Sequence, residues 1–258
     1  MTTPWAQLFK PGSFAWSFGM RQGDFASFFA SQDPELLEEK ATKLEVHPHR
    51  YLASVPELAP GLVAETAELL GLDRPVTLRE LALETEPDLL ILDRETFRFA
   101  AAAVCFPSSW NPASTIGLPM IDVHGVVPRL NQEIGEKIQR FLEKVKPSQA
   151  FCRENWGLTR SAELDYHPER KLPALDDTVA SLDEVFLRIE RQLFTGLRSG
   201  ILMGVRLEVV PFPQIQANRE VFSVFREKLA TMPQEVAQYK GLGAGLPRVL
   251  ELMGDEGE

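Results

Sequence analysis

The 258-residue chain is poor in the side chains that most redox and metal chemistry uses, with two cysteines and four histidines. Cys105 and Cys152 are far apart and lack CxxC spacing, and an iron–sulfur cluster ordinarily takes four cysteines or a cysteine and histidine mixture. A cluster of the chain's own is therefore excluded. No segment approaches the roughly 20 consecutive apolar residues that a spanning helix needs. The longest apolar run, Phe99 to Phe106, has the length of a buried strand. Positive charge is also scarce: 27 Lys and Arg face 37 Asp and Glu, for a net charge of -10. A long nucleic-acid footprint needs clustered cations, so nucleic acid is not expected as a partner. There is no GxGxxG opening a helix after a strand and no GxxxxGK[ST] phosphate loop. GLGAGLP, residues 241–247, follows a helical segment and precedes a proline, the context of a loop. The start MTTPWAQLFKPGSF lacks a basic stretch followed by an apolar run, which predicts a reduced, cytoplasmic protein that does not enter membranes.

What remains is an ordinary globular composition, 44% hydrophobic and 25% charged, which suits a single domain over 1–258. Residues 1–86 read as a mostly helical portion. Asp33-Pro34-Glu35 opens one segment with Leu36, Leu37, Ala41 and Leu44 at helical spacing, and Glu57 to Leu72 is a second. From Asp88 the pattern changes to short apolar runs, DLLILDR and FRFAAAAVCF, which predict consecutive buried strands. Asn131 is the expected N-cap of QEIGEKIQRFLEKV, which Pro147 ends. Ser181 and Glu184 have capping-box spacing, which predicts a helix over SLDEVFLRIERQLFTGLR. GILMGVRLEVVPF alternates like a strand. Two helical stretches separated by Pro233 follow Asn218, and the acidic GDEGE is expected to fray. Helices, then strands, then helices around a later strand predict an α+β fold.

Four residues invite a chemical reading. His124 stands among Met120, Ile121, Val123, Val126, Val127 and Leu130, so it is either a satisfied core group or a ligand. On a helix from Leu182, Glu190 falls inside the apolar arc. Buried unpaired it costs several kcal/mol, so it is either a structural ion pair with Arg206 or a pocket acid that binds a cation or relays a proton. Arg188 and Arg191 fall opposite that arc, at the surface. Gly204 marks a bulge or a place where something flat or bulky nears the backbone. His47 and His49 are close together but have no carboxylate or cysteine cluster near them in sequence, a poor zinc site. His167 reads as a surface residue, with Tyr166 beside it able to face a pocket. The two cysteines read as buried and inert, Cys152 without a paired base.

Several blocks taken together resemble one family. PDLLILDRETFRFAAAAVCFPSSW, IGLPMIDVHGVVPRLNQEIG, RENWGL, LRIERQLFTGLRSGILMGVRL and YKGL, between Pro87 and Leu242, are similar to the haem-binding subunits of haem-dependent oxidative N-demethylases. The resemblance implies a PAS-like antiparallel sheet flanked by helices and a haem b, with His124 as the axial iron ligand. It implies Glu190 in the distal pocket near the amine, Arg206 supporting Glu190 or a haem propionate, and Asn155 and Trp156 as architectural. A small methylated amine and O2 would be the substrates, and a separate reductase the electron donor. A PAS-like sensor that binds haem or a small molecule without turnover is the alternative, and in a haem-free relative His124 would be a core residue.

Overall fold

Seven strands form one open, wholly antiparallel sheet in a computed structural model that describes residues 5–30, 32–74 and 76–254. They are β1 (Arg21–Gln22), β2 (Leu52–Ser54), β3 (Asp88–Asp93), β4 (Phe99–Ala103), β5 (Ala150–Thr159), β6 (Phe186–Gly196) and β7 (Gly200–Pro211). Their order across the sheet is β1-β5-β6-β7-β3-β4-β2. The fold is α+β. The expectation that the acidic end frays falls, from Asp255 onward, outside the described residues.

Side chains alternate along each strand, so the sheet has two different faces. On one face, Leu89, Ile91, Ala101 and Ala103 pack under the helices Pro34–Val46 and Ala59–Leu69. Farther along it, Leu187, Ile189 and Val210 pack under the C-terminal helices Arg219–Ala230 and Gly245–Met253. The opposite face, with Leu90, Phe194, Ile201 and Val205, meets the helix Leu130–Lys144 through Ile134, Ile138 and Leu142. Between that helix and the sheet lies the cavity described below.

The segment after Ser181 is not a helix. The capping signals close a single 3-10 turn, Leu182–Glu184: Ser181 Oγ accepts from the Asp183 N–H at 3.3 Å and the Glu184 carboxylate from the Ala180 N–H at 3.2 Å. Beyond Val185 the chain runs as β6, paired along its length with both β5 and β7. A strand flanked on both sides and buried on both faces loses the clean polar alternation that distinguishes it from a helix. The Asn131 cap is displaced too. Arg129, at φ 65°, precedes a helix that starts at Leu130, and Asn131 instead donates through Nδ2 to the Ile121 carbonyl at 2.9 Å. The short β6–β7 hairpin needs glycine, because a Cβ on Gly200 would lie 2.5 Å from the Leu92 carbonyl oxygen.

One buried ion pair fixes the strand that borders the cavity. Lys40, fully buried, donates to the carbonyls of Thr85 (2.9 Å), Glu86 (3.3 Å) and Pro87 (3.1 Å) and lies 3.6 Å from Asp88. Asp88 in turn accepts from the N–H groups of Cys105 at 3.0 Å and Phe106 at 2.8 Å, which shapes the loop after β4. Burial pushes the Asp88 pKa up, while Lys40 and these two donors oppose the rise. Replacing Lys40 with Met leaves a buried carboxylate without its cation, and should lower the unfolding free energy by about 3–5 kcal/mol in denaturant titrations. Adding Asp88→Asn should recover part of that loss. Wild-type stability in Lys40→Met would show that the pair does not hold this corner.

Candidate functional site

The cavity has a volume of about 630 Å3 and is bounded by the sheet, the helix Leu130–Lys144 and the turn that carries His124. That turn joins the short helix Met120–Val123 to a 3-10 turn, His124–Val126. Buried Met120 and the Asn131 amide on Ile121 hold it in place. The imidazole lines the cavity, and its Nδ1 is buried with no hydrogen-bond partner among the described residues. Burial, and secondarily the charge of Arg153, pushes its pKa down to about 4. The ring is therefore neutral at neutral pH and keeps a lone pair for a metal. No carbonyl or carboxylate among the described residues holds Nδ1, the contact that commonly orients a metal-binding imidazole.

Opposite His124, the sheet presents a polar strip. Register places Asn155 of β5 beside Glu190 of β6, Arg153 beside Gln192 and Gly157 beside Arg188, all on the cavity face. The Glu190 carboxylate accepts from Gln192 Nε2 at 3.0 Å and from Asn155 Nδ2 at 3.4 Å. Arg188 is buried, not at the surface as the helical reading had it. It donates to Ser108 Oγ (2.7 Å) and to the carbonyls of Phe106, Pro107, Glu163 and Leu164, tying two loops to the cavity wall. Lys240, just after the helix Gln234–Tyr239, donates to the Trp156 carbonyl at 2.7 Å. Its ammonium lies 5.1 Å from the ring centroids of both Trp16 and Trp156. Burial pushes its pKa down to about 8, Glu190 resisting and Arg153 adding to the shift.

His124 and Glu190 thus share one cavity, whereas Arg206 and Gly204 face away from it. On β7 the odd-numbered Met203, Val205 and Leu207 line the cavity, and the even-numbered residues point to the other face. Glu190 sits opposite Leu207, so the expected Glu190–Arg206 ion pair does not form. Arg206 pairs with Glu86, donates to the Phe28 carbonyl at 2.8 Å and lies against the Phe28 ring. Gly204, read as a bulge or as a close approach that would make it a cofactor contact, lies off the cavity, and what nears its backbone is the rings of Phe28 and Phe29, which a Cβ would approach to 2.8 and 2.9 Å. Arg191 is paired with Glu208. His167 is 2% exposed rather than at the surface, packs on the Tyr51 ring, and accepts at Nδ1 from the Glu169 N–H at 3.2 Å. Tyr166 does line the cavity, its hydroxyl donating to the Pro173 carbonyl at 2.7 Å.

Arg153 and Lys240 went unread in the sequence, and Arg188 was placed at the surface. All three lie in the blocks that carry the resemblance, and reading RENW and LRIERQ with strand periodicity would have put Arg153 and Arg188 on the face of Asn155 and Glu190. Neither cysteine is a candidate thiolate, since burial pushes both thiol pKa values up. No group of three or more His, Cys, Asp or Glu residues is arranged to hold a bare metal ion among the described residues. A metal that brings its own equatorial nitrogens, as haem does, needs one protein imidazole. An unpartnered buried His124 nitrogen in a cavity bordered by Trp16, Phe18 and Trp110 fits such a group.

A family model described as haem-dependent oxidative N-demethylase, alpha subunit-like, matches residues 35–250. The chain belongs to this family. No curated protein gives a significant match to the chain. The matched span contains the cavity's polar strip, His124 and Lys240, while Trp16 and Phe18 precede it. None of the described helices is long and apolar enough to cross a membrane.

The lowered His124 pKa has a consequence for the haem-free protein. Between pH 6.5 and about 4 the unfolded chain binds a proton there that the folded chain resists, so this contribution to stability, on the order of 3 kcal/mol, disappears as pH falls through that window. Stability of His124→Leu, measured by denaturant titration from pH 7 to pH 4, should fall less steeply than wild type. Parallel profiles would show that the imidazole is not desolvated.

Proposed function

We propose that this haem-dependent oxidative N-demethylase-like protein is an oxygenase subunit that holds haem b on His124 and removes a methyl group from a small methylated amine. The observation that carries the reading is one cavity of about 630 Å3 lined both by a neutral, unpartnered imidazole and by a sheet-borne carboxylate, Glu190. Bound haem, reduced by electrons from a separate reductase, would supply the activation of O2 that oxidises an N-methyl group to a carbinolamine, which collapses to formaldehyde and the shorter amine. A reductase is required because the chain has no flavin, nicotinamide or cluster motif.

The protein's own part is positioning. His124, fixed by Met120 and Asn131, offers a buried nitrogen lone pair from a turn that is otherwise largely exposed. Glu190 is aimed by two neutral amide donors, leaving its charge uncancelled by direct contact with a cation, so an ammonium group can donate a charge-assisted hydrogen bond to it. Apolar Phe194, Met203, Val205 and Leu207 beside it exclude water and accommodate methyl groups. We also read the sheet as PAS-like, since its first and last long strands, β3 and β7, pair at the centre with a hairpin partner on each side.

Two measurements test this. Haem-reconstituted wild type should give a sharp Soret band, oxidised and as the reduced carbon monoxide complex, that is lost or shifted in His124→Ala. The same band in both would remove His124 as ligand. In haem-loaded Glu190→Gln, spectral titration with dimethylamine should show affinity weakened about ten- to a hundredfold, the worth of one charge-assisted hydrogen bond. Unchanged affinity and turnover would take Glu190 out of the amine site.

A further inference from the structure

The cavity's charges do not balance. Arg153, Arg188 and Lys240 border it. Arg188 is satisfied by a hydroxyl and four carbonyls, all fixed by the fold. Arg153 and Lys240 are not comparably satisfied. Arg153 gives one hydrogen bond, to the Ser17 carbonyl at 3.1 Å, and its Nε is buried with no partner. Lys240 has one carbonyl and two indole faces. Neither forms a salt bridge with a described carboxylate. Glu190 influences both through space, but its hydrogen bonds come from Asn155 and Gln192. Glu154, the neighbour of Arg153, is taken by Arg21, and Asp88 by Lys40.

Removing a cation from water without an anion costs several kcal/mol. Two such cations close enough to disfavour one another's charge cost more, and Arg153 does lower the Lys240 pKa. A ligand that repairs this arrangement carries two negative groups. It is also large enough to fill the cavity and aromatic enough to lie against Trp16 and Phe18.

We propose that Arg153 and Lys240 form an anion subsite that receives the two propionate carboxylates of the haem, a role the sequence resemblance offered to Arg206. This rests on the haem reading above. Arg206 is unsuited to the role because it lies on the other face of the sheet, engaged with Glu86 and Phe28. Arg153 brings a planar fork of donors, one of them unused, and Lys240 a single ammonium already steered by two rings. The Trp156 carbonyl and the rings position Lys240 without neutralising it, which leaves the ammonium available to a carboxylate.

The test uses the full-length apoprotein, titrated with haemin and, separately, with haemin dimethyl ester, in which both propionates are capped. Binding is followed by the Soret band and by the rate of haem loss to an excess of apomyoglobin. Wild type should hold haemin at least tenfold more tightly than the diester, and raised salt should narrow the gap. Arg153→Met and Lys240→Met should each lose part of that preference, and the double variant nearly all of it, with diester affinity little changed. The wild-type comparison of the two porphyrins does not depend on any variant folding. Equal wild-type affinity for haemin and diester, or a preference that survives in a folded double variant, would overturn the subsite while leaving haem binding intact. Failure of wild type to bind either porphyrin would overturn the haem reading and this subsite with it.

Discussion

Neighbouring residues on a strand face opposite ways, and along β6 this alternation separates a charged cavity wall from an apolar core. Leu187 and Ile189 enter the core beneath the C-terminal helices, while Arg188, Glu190 and Gln192, one step out of phase, point into the cavity. Pairing with β5 on one side and β7 on the other locks the phase, since a slip by one residue would bury three polar side chains among leucines. The sheet-borne polar groups of the site inherit their direction from that register. Asn155 reaches Glu190 because β5 places it directly opposite, and Arg206 cannot because β7 places it one residue out.

A polar strip inside a fold needs acceptors, and the loops supply them. Arg188 gathers the carbonyls of Phe106, Pro107, Glu163 and Leu164, and the first of these loops is shaped by Asp88 through the Cys105 and Phe106 amides. Asp88 depends on Lys40, which arrives from the helical N-terminal portion. The helices before Asp88 are thus coupled to the cavity on the other face through buried charge, although their apolar residues never reach it. Removing any member leaves a neighbour with an unsatisfied buried charge or polar group, which makes this chain of contacts cooperative.

Much of the architecture was legible where one period dominated. Asp33 before Pro34 gave the first long helix its cap, DLLILD and FAAAA gave adjacent buried strands, and the odd residues of GILMGVRLEVV gave the cavity face of β7. The segment from Ser181 was misread because Val185, Phe186, Ile189, Leu193 and Leu197 satisfy a helical arc, while a strand buried on both faces also permits apolar residues at either parity. The capping signals were real and closed one turn. That error put Arg188 at the surface and let Arg206 pair with Glu190. Glu190 itself survived as a cavity residue, since a carboxylate surrounded by apolar sequence is conspicuous under either period. Lys240 was missed for another reason: a lysine in a polar stretch shows no sign of burial until the indoles of Trp16 and Trp156 close around it.

The unequal charges of the cavity also bear on how it distinguishes a cation from an anion. With Arg153 and Lys240 uncompensated, the interior repels an ammonium group even though Glu190 would accept its proton. Two carboxylates placed on those cations would remove the repulsion, leaving Arg188, held by its hydroxyl and carbonyl acceptors, and Glu190, held by two amide donors, as the charges without a direct counterion. The same loading that satisfies the anion subsite would therefore convert the cavity from one that favours anions to one that favours amines. On this reading cofactor binding and amine recognition would be linked by electrostatics alone, with no movement of the chain required, and amine affinity would rise once the anion subsite is filled.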